Sequence, residues 1–226
     1  FIASAIMVSC DDNNETPPTP VMVDLVSPVK EEFHPMGQDP LQWSDDEIQA
    51  TASFSEKSVV ALGEATHGTA EFFDAKHRVF RHLVEREGFR VFAIEADFGE
   101  SVILNKAIQE SRTSDIKPLM LSTMLFWTWK TAEVQAMLEW MSEYNRGKPA
   151  EDKLQYMGVD CQANVNNAPL VFDYLQSAGM PFLSWADSLL EVCKTATLYN
   201  FKFHTEESYV AYIKELSSLQ DSISHY

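Results

Sequence analysis

Several patterns that would assign this chain at once are missing from its sequence. Its 226 residues include three cysteines, none with the spacing of zinc ligands, and there is no Gly-rich phosphate loop or internal repeat. No residue stands in a Gly-x-Ser-x-Gly setting, which disfavours a covalent serine nucleophile. No apolar run is long enough to cross a membrane as a helix. We therefore look for chemistry that needs neither a phosphate loop nor a zinc cluster.

Basic residues are also few. There are 17 Lys and Arg against 34 Asp and Glu, for a net charge of −17. Such a surface repels phosphates, so no nucleic acid is expected as a partner, and anionic lipid is a poor docking surface. A hydrophobic content of 45% predicts a globular domain with a packed core. The charge mildly favours cationic substrates.

Three apolar runs are each followed or ended by an acid. They are residues 59–62 leading to Glu64, residues 90–95 ending at Glu95, and residues 154–160 ending at Asp160. Runs of this kind, separated by helical stretches, predict buried strands of a largely parallel sheet flanked by helices, an α/β fold. Parallel strands end at one edge, so the three acids are expected to converge near His67. The alternative is that the three acids stand at strand ends by chance, because acidic residues are common just after strands.

The turn after the first run carries Glu64 and His67, ahead of a helix predicted over residues 70–87. Ligands of α/β proteins bind outside the carboxyl edge of the sheet, and an acid beside an imidazole can serve as a general base. Lys76 falls in the apolar stripe of that helix. One interpretation is that the aliphatic part of the side chain lies along the apolar surface and the ammonium group reaches solvent. The other is that the ammonium group lies beside an acid of the site, where it would stabilise negative charge that forms during the reaction.

The rest of the chain is predicted to be mainly helical. His77 and His82 lie off the stripe and are expected at the surface. Further helices are predicted over residues 45–53, 99–110, 131–146, 170–177 and 184–195, with residues 111–125 as a connection or lid and residues 209–223 as a last amphipathic segment.

An ordered set of motifs between residues 59 and 162 resembles the erythromycin esterase family. The set consists of Gly63-Glu64-Ala65-Thr66-His67-Gly68 with Glu71-Phe72-Phe73, Ala93-Ile94-Glu95, Phe126-Trp127-Thr128-Trp129 with Glu133-Val134, the tract from Trp140 to Asn145, and Gly158-Val159-Asp160-Cys161-Gln162. The resemblance implies an enzyme that hydrolyses ester bonds, the macrolide lactone being the family's named substrate. A resistance role follows only by analogy.

The resemblance also implies roles for individual residues. His67 would be the general base that activates water, with Glu64 as its partner and Glu95 as a further acid. Lys76 stands where better-studied members have arginine, and lysine lacks the planar fork of guanidinium. No cofactor is implied, and the partner is a small-molecule ester. We predict Trp127, Trp129 and Asp160 as substrate-binding, although paired tryptophans more often pack in a core or lid.

Two alternatives come from other classes. His67, Glu64, Glu95 and Asp160 are residue types that could hold a divalent cation, which would suit a metal- or haem-binding surface module. A non-catalytic binding domain is the other. The family's second histidine has no recognisable counterpart here, since His204 and His225 are expected at the surface. That histidine is expected beyond Tyr226, which makes the domain the N-terminal part of a longer one.

The N-terminus indicates a compartment. Residues 1–10 resemble the end of a bacterial lipoprotein signal, with Cys10 as the lipidation site, and residues 11–30 are typical of a disordered acidic, Pro-rich tether. An ordinary buried strand is the alternative. Residues 31–226 then form the esterase-like domain, held at the cell envelope only through the lipid. The remaining cysteines, Cys161 and Cys193, are either free thiols or a disulfide.

Overall fold

The structure, a computed structural model, describes residue 37, residues 43–195 and residues 205–225. The elements in chain order are α1 Asp45–Thr51, α2 Ala70–Glu87, β1 Val91–Asp97, α3 Phe98–Gln109, α4 Ile116–Thr123, α5 Ala132–Tyr144, β2 Gln155–Asp160, α6 Asn164–Ser177, α7 Leu183–Thr195 and α8 Glu206–Ser224. The chain divides into two compact units, Phe1–Leu83 and Val84–Tyr226, which are described separately below. The fold class is α/β, mostly helical, with a small parallel sheet.

Helix α2 has the bounds that its apolar spacing predicts, and Phe73, Val79, Phe80 and Leu83 are buried along it. A second side of the helix is buried as well. His77 and His82 are each only 8% exposed, so the prediction that they lie at the surface is wrong. The physical reason for His82 is a contact with the region of α1: its Nε2 lies 3.1 Å from Thr51 Oγ1, and its ring lies 4.4 Å from that of Trp43.

Helix α1 is fastened to α2 by a buried ion pair. The guanidinium of Arg78 bonds both carboxylate oxygens of Glu47, with Nη2 3.0 Å from Oε2. The same carboxylate accepts the backbone N–H groups of Gly37 at 2.6 Å and Ser44 at 2.8 Å. The Arg78 bonds, followed by the Ser44 N–H, hold the pKa of Glu47 far below its ordinary value, although burial opposes them.

Residues 59–64 have no regular secondary structure, so the predicted first strand is wrong. Val59 is 82% exposed. An extended segment becomes a strand only when a neighbouring strand takes up its N–H and C=O groups, and the described residues contain no such ladder for this run. An apolar composition does not by itself provide the neighbouring strand with which residues 59–62 would have to pair.

The other two runs form the predicted parallel pair. Strand β1 lies beside β2 with Phe92 opposite Tyr156 and Asp97 opposite Asp160, and the ladder is irregular between Ile94 and Asp97. Strand β1 runs two residues past Glu95, so the acid at its end is Asp97. Gly158 permits this close approach, because a Cβ there would lie 2.4 Å from the backbone oxygen of Ala96. The two strand ends are thus tightly joined.

Helix α3 covers one face of the sheet, and α5 packs against α3. Phe92 and Tyr156 from the strands and Leu104, Ile108 and Leu138 from the helices are buried there. On the other sheet face, side chains at alternate positions, such as Val91, Met157 and Val159, are exposed. Residues 111–125, predicted as a connection or lid, contain α4, whose Ile116 and Met120 are buried.

A second cluster joins α6, α7 and α8. Helix α6 starts at Asn164, six residues earlier than predicted, and contains Pro169. Tyr212 of α8 lies with its hydroxyl 2.9 Å from Cys193 Sγ and 3.0 Å from the carbonyl of Leu189. Cys161 and Cys193 are free thiols. No helix in the described ranges is long and apolar enough to cross a membrane, and the predictions for Cys10, for the tether over residues 11–30 and for His204 lie outside those ranges.

Candidate functional site

The turn before α2 brings Glu64 and His67 into direct contact. Nδ1 of His67 lies 3.0 Å from Glu64 Oε1. The side chain of His67 is 56% exposed, whereas that of Glu64 is only 11% exposed. The pair therefore consists of a shielded carboxylate beneath an imidazole that solvent reaches. The left-handed φ of 78° at Gly68 lets the chain leave this turn and enter the helix.

Lys76 supplies the cation of this turn. Two helical turns into α2, it donates to Glu64 Oε2, and its side chain is 13% exposed. Its ammonium also lies 5.0 Å from the ring centroid of Phe73. Burying a charge without a partner is costly, and Glu64 is the anionic partner that a lysine in an apolar stripe needs. In this arrangement the lysine orients the carboxylate.

The protonation states of this turn follow from its hydrogen bonds. Burial acts to raise the pKa of Glu64, but the bonds from Lys76 and His67 outweigh it and lower that pKa below its ordinary value. The carboxylate is thus ionised and can only accept, so His67 carries its proton on Nδ1. A neutral His67 then has its lone pair on Nε2. That is the tautomer a general base requires.

The remaining predicted acids belong to the second unit. Glu95 is exposed on β1, one residue inside the irregular part of the ladder. Asp160 ends β2, where its Oδ1 accepts the N–H of Cys161 at 2.7 Å and its Oδ2 bonds the side-chain amide of Gln162. Glu95 and Asp160 occupy neighbouring strands at the carboxyl end. Their convergence with the Glu64 turn stays a prediction.

The two predicted substrate-binding tryptophans differ in exposure. Trp127 is 69% exposed, at the start of the short 3₁₀ helix Trp127–Trp129. Trp129 is 4% exposed and belongs to the core, which agrees with the alternative of packing. A ligand in solution can reach the ring of Trp127 directly. Its ring is therefore the better candidate for a substrate contact.

One functionally placed residue, Asp97, escaped the sequence analysis. Its carboxylate is fully buried and accepts five donors: the N–H groups of Gly99 at 3.0 Å, Glu100 at 3.4 Å, Gln162 at 2.9 Å and Ala163 at 2.7 Å, and the Asn167 amide at 2.8 Å. It thereby ties the end of β1, the start of α3 and the loop after β2 together. The signal was present, because Asp at an N-cap with Glu three residues later is a helix-start pattern.

Metal-ligand geometry is absent from the part of the chain that the structure describes. No group of three or more His, Cys, Asp or Glu side chains there could hold a metal ion.

Comparison with known proteins identifies the class. The sequence model of the family described as Erythromycin esterase matches residues 84–224. Erythromycin esterase type II of Escherichia coli is 31% identical over 140 residues, which are 60% of this chain and 32% of that protein. The chain belongs to the erythromycin esterase family.

Solved structures agree with this assignment. The crystal structure of a succinoglycan biosynthesis protein, at 1.7 Å resolution, matches with a TM-score of 0.65 and 26% identity over 83% of this chain and 49% of that one. A Bacillus cereus protein matches with a TM-score of 0.62 and 25% identity, over 81% of this chain and 45% of that one. The chain spans about half the length of these structures and about a third of the E. coli relative.

Proposed function

We propose that the protein is an erythromycin esterase-like hydrolase of carboxylic esters in which His67 activates water. The observation that supports this most is the hydrogen-bonded series from Lys76 through Glu64 to an exposed His67. An acid that orients an imidazole, itself held by a third group, is the arrangement of a general base. Family membership independently supports a hydrolase.

The chemistry runs through Nε2 of His67. This nitrogen takes a proton from water as the water oxygen attacks the ester carbonyl carbon, and the imidazolium that forms is stabilised by the Glu64 carboxylate. The tetrahedral intermediate then collapses, the bond to the alkoxide oxygen breaks, and the alkoxide takes up the proton held on Nε2, which returns His67 to its neutral form. Backbone N–H groups of the first turn of α2 are suited to stabilise the oxyanion, because a helix N-terminus favours negative charge. One water is consumed, and one acid and one alcohol are released.

The substrate is an ester or lactone of a small molecule. A macrolide lactone, and with it a part in macrolide resistance, is one candidate, supported by the name of the E. coli relative. The net charge of −17 agrees with an amino-sugar cation on the substrate. Glu95 remains a predicted further acid on the strength of the resemblance alone.

The test is hydrolysis by the protein expressed from its complete reading frame. Release of acid from a panel of simple esters and a macrolide lactone is followed with and without a chelator. We expect turnover of at least one ester that chelation leaves unchanged. Turnover that chelation stops and zinc or iron restores would replace this mechanism with the metal alternative. No turnover of any ester would support the non-catalytic binding domain.

We also propose that the protein is lipid-anchored at Cys10 in the bacterial cell envelope, as the small residue before the cysteine and the acidic stretch after it suggest. Labelled palmitate should be incorporated into the wild type and into Cys161→Ala but not into Cys10→Ala. Equal labelling of the Cys10 variant would contradict the anchor.

A further inference from the structure

Glu100 is a buried acid that the proposed mechanism does not use. It lies in the first turn of α3 and is 0% exposed, yet its carboxyl reaches across 25 residues of sequence to accept the backbone N–H of Leu125 at 2.6 Å. Its Oε1 has no hydrogen-bond partner among the described residues. Burying a carboxyl with an unused acceptor costs free energy, so the position of Glu100 calls for an explanation.

That bond fixes the start of the segment that carries Trp127. Leu125 follows Met124, where α4 ends, and precedes the 3₁₀ helix. At the far end of the segment, Trp129 is 4% exposed and packs in the core, while Lys130 donates to the carbonyl of Leu121 at 3.4 Å. The backbone is therefore held on both sides of Trp127.

The side chains that this segment presents are apolar and exposed. Trp127 is 69% exposed, Leu121 60% and Leu125 42%. Holding a large aromatic ring in water on a fixed backbone gains nothing for folding, whereas a rigid ring is an efficient contact for an apolar ligand. A bond from Glu100 that fixes the backbone beside Trp127 would keep this exposed ring in place for such a ligand.

The buried position of Glu100 disfavours the charged form of its carboxyl. Burial raises the pKa of Glu100 above its ordinary value, the Leu125 N–H only partly opposes this, and the charge of Asp97 acts in the same direction as burial. The charged groups on the neighbouring elements are Asp97 at the start of α3 and Lys130 after the 3₁₀ helix, and the neutral hydroxyl of Tyr156 on β2 is the other titratable group near Glu100. An amide oxygen can also accept the N–H of Leu125, so Glu100→Gln keeps this hydrogen bond and removes the ionisable group.

We propose that Glu100 is a positioning residue: by holding the backbone of Leu125 it sets the Trp127 ring as the contact for the apolar part of the ester substrate. The inference rests on the proposed function for the identity of the ligand. The anchoring itself depends only on contacts within the second unit.

The test uses the protein from its complete reading frame with the variants Glu100→Gln, Glu100→Leu and Trp127→Ala. Hydrogen exchange of the Leu125 amide reads the anchor, and it should be slow in the wild type and in Glu100→Gln but fast in Glu100→Leu. For an ester with a large apolar group, KM should rise about tenfold in Glu100→Leu and in Trp127→Ala, with kcat within about twofold. Glu100→Gln should keep the wild-type KM.

The double variant decides whether Glu100 acts through Trp127. If it does, Glu100→Leu adds nothing to KM once Trp127 is alanine. Additive effects, or slow Leu125 exchange in Glu100→Leu, would overturn the inference. If Glu100→Leu does not fold, an unchanged KM in the exposed-site variant Trp127→Ala would overturn it instead. A wild type without esterase activity would refute the proposed function, while the exchange experiment would still decide the anchoring.

Discussion

Helix α2 carries two cations, two residues apart, that each bind a carboxylate from an earlier segment, and the two pairs differ in what surrounds them. Arg78 and Glu47 are 2% and 6% exposed, and backbone N–H groups take up the acceptor capacity that remains. Lys76 and Glu64 are 13% and 11% exposed, and the second carboxylate oxygen faces His67. Beyond Arg78, the Glu47 carboxylate is bonded to these backbone N–H groups. The Lys76–Glu64 pair, in contrast, is bonded to His67, which can exchange protons with solvent.

The two histidines of this region show the same contrast. His77 is 8% exposed, and burial, followed by the charge of Arg81, lowers its pKa to about 4. The side chain of His67 is 56% exposed and bonded to an ionised acid. Residue type alone therefore does not distinguish a structural cluster from a candidate catalytic one. The exposure of the histidine to solvent is what differs between the two.

The largest expected effect is on the pair of Arg78 and Glu47. Glu47→Gln leaves the buried guanidinium of Arg78 without its counter-ion and should lower the free energy of unfolding by about 3–5 kcal/mol. Denaturant unfolding measures this change. Glu56→Gln, at an exposed acid in the turn after α1, is the control and should shift stability by less than about 0.5 kcal/mol. A Glu47→Gln protein as stable as that control would show that the pair does not hold α1.

His77 should make stability depend on pH. Its folded pKa of about 4 lies below the ordinary 6.5, so the unfolded chain binds the extra proton between these values. Stability contributed by the neutral ring is present above pH 6.5 and lost as pH falls towards 4, by on the order of 3 kcal/mol. The substitution His77→Gln should flatten this part of the stability curve. Parallel curves for the two proteins would contradict the assignment.

Lys76 should show the smallest of these effects. Lys76→Met removes the first of the bonds that lower the pKa of Glu64, so kcat/KM should fall by about 10- to 100-fold and the acid limb of its pH profile should move to higher pH. Lys76→Arg keeps the charge and should stay within a few-fold of the wild type. An unshifted acid limb in Lys76→Met would mean that the lysine does not act through Glu64.

Local spacing explains which of these features the sequence could predict. Glu64 and His67 are three residues apart, and Lys76 stands in the stripe of a helix whose bounds the apolar pattern predicts, so this cluster follows from short-range geometry. The parallel pairing of β1 and β2 also followed, because their apolar runs are separated by helical patterns. In both cases a local pattern of apolar residues is enough to predict the arrangement.

Long-range contacts explain what was missed. Arg78 meets Glu47 across 31 residues, and Asp97 meets Ala163 across 66, and no periodicity links such positions. The strand predicted at residues 59–62 failed for a related reason, since a strand depends on a partner elsewhere in the chain. Buried polar groups are therefore where sequence analysis of this protein was weakest.

We propose that His67 is the general base of an ester hydrolase. On this proposal the cluster of Lys76, Glu64 and His67 serves chemistry, whereas the pair of Arg78 and Glu47 serves stability. The most direct measurement compares His67→Ala and Glu47→Gln in the protein from its complete reading frame, with kcat/KM and unfolding free energy determined for both. We expect His67→Ala to lower kcat/KM by about 10²- to 10⁴-fold with stability within about 0.5 kcal/mol of the wild type, and Glu47→Gln mainly to lower stability. A His67→Ala protein that keeps its esterase activity would contradict it.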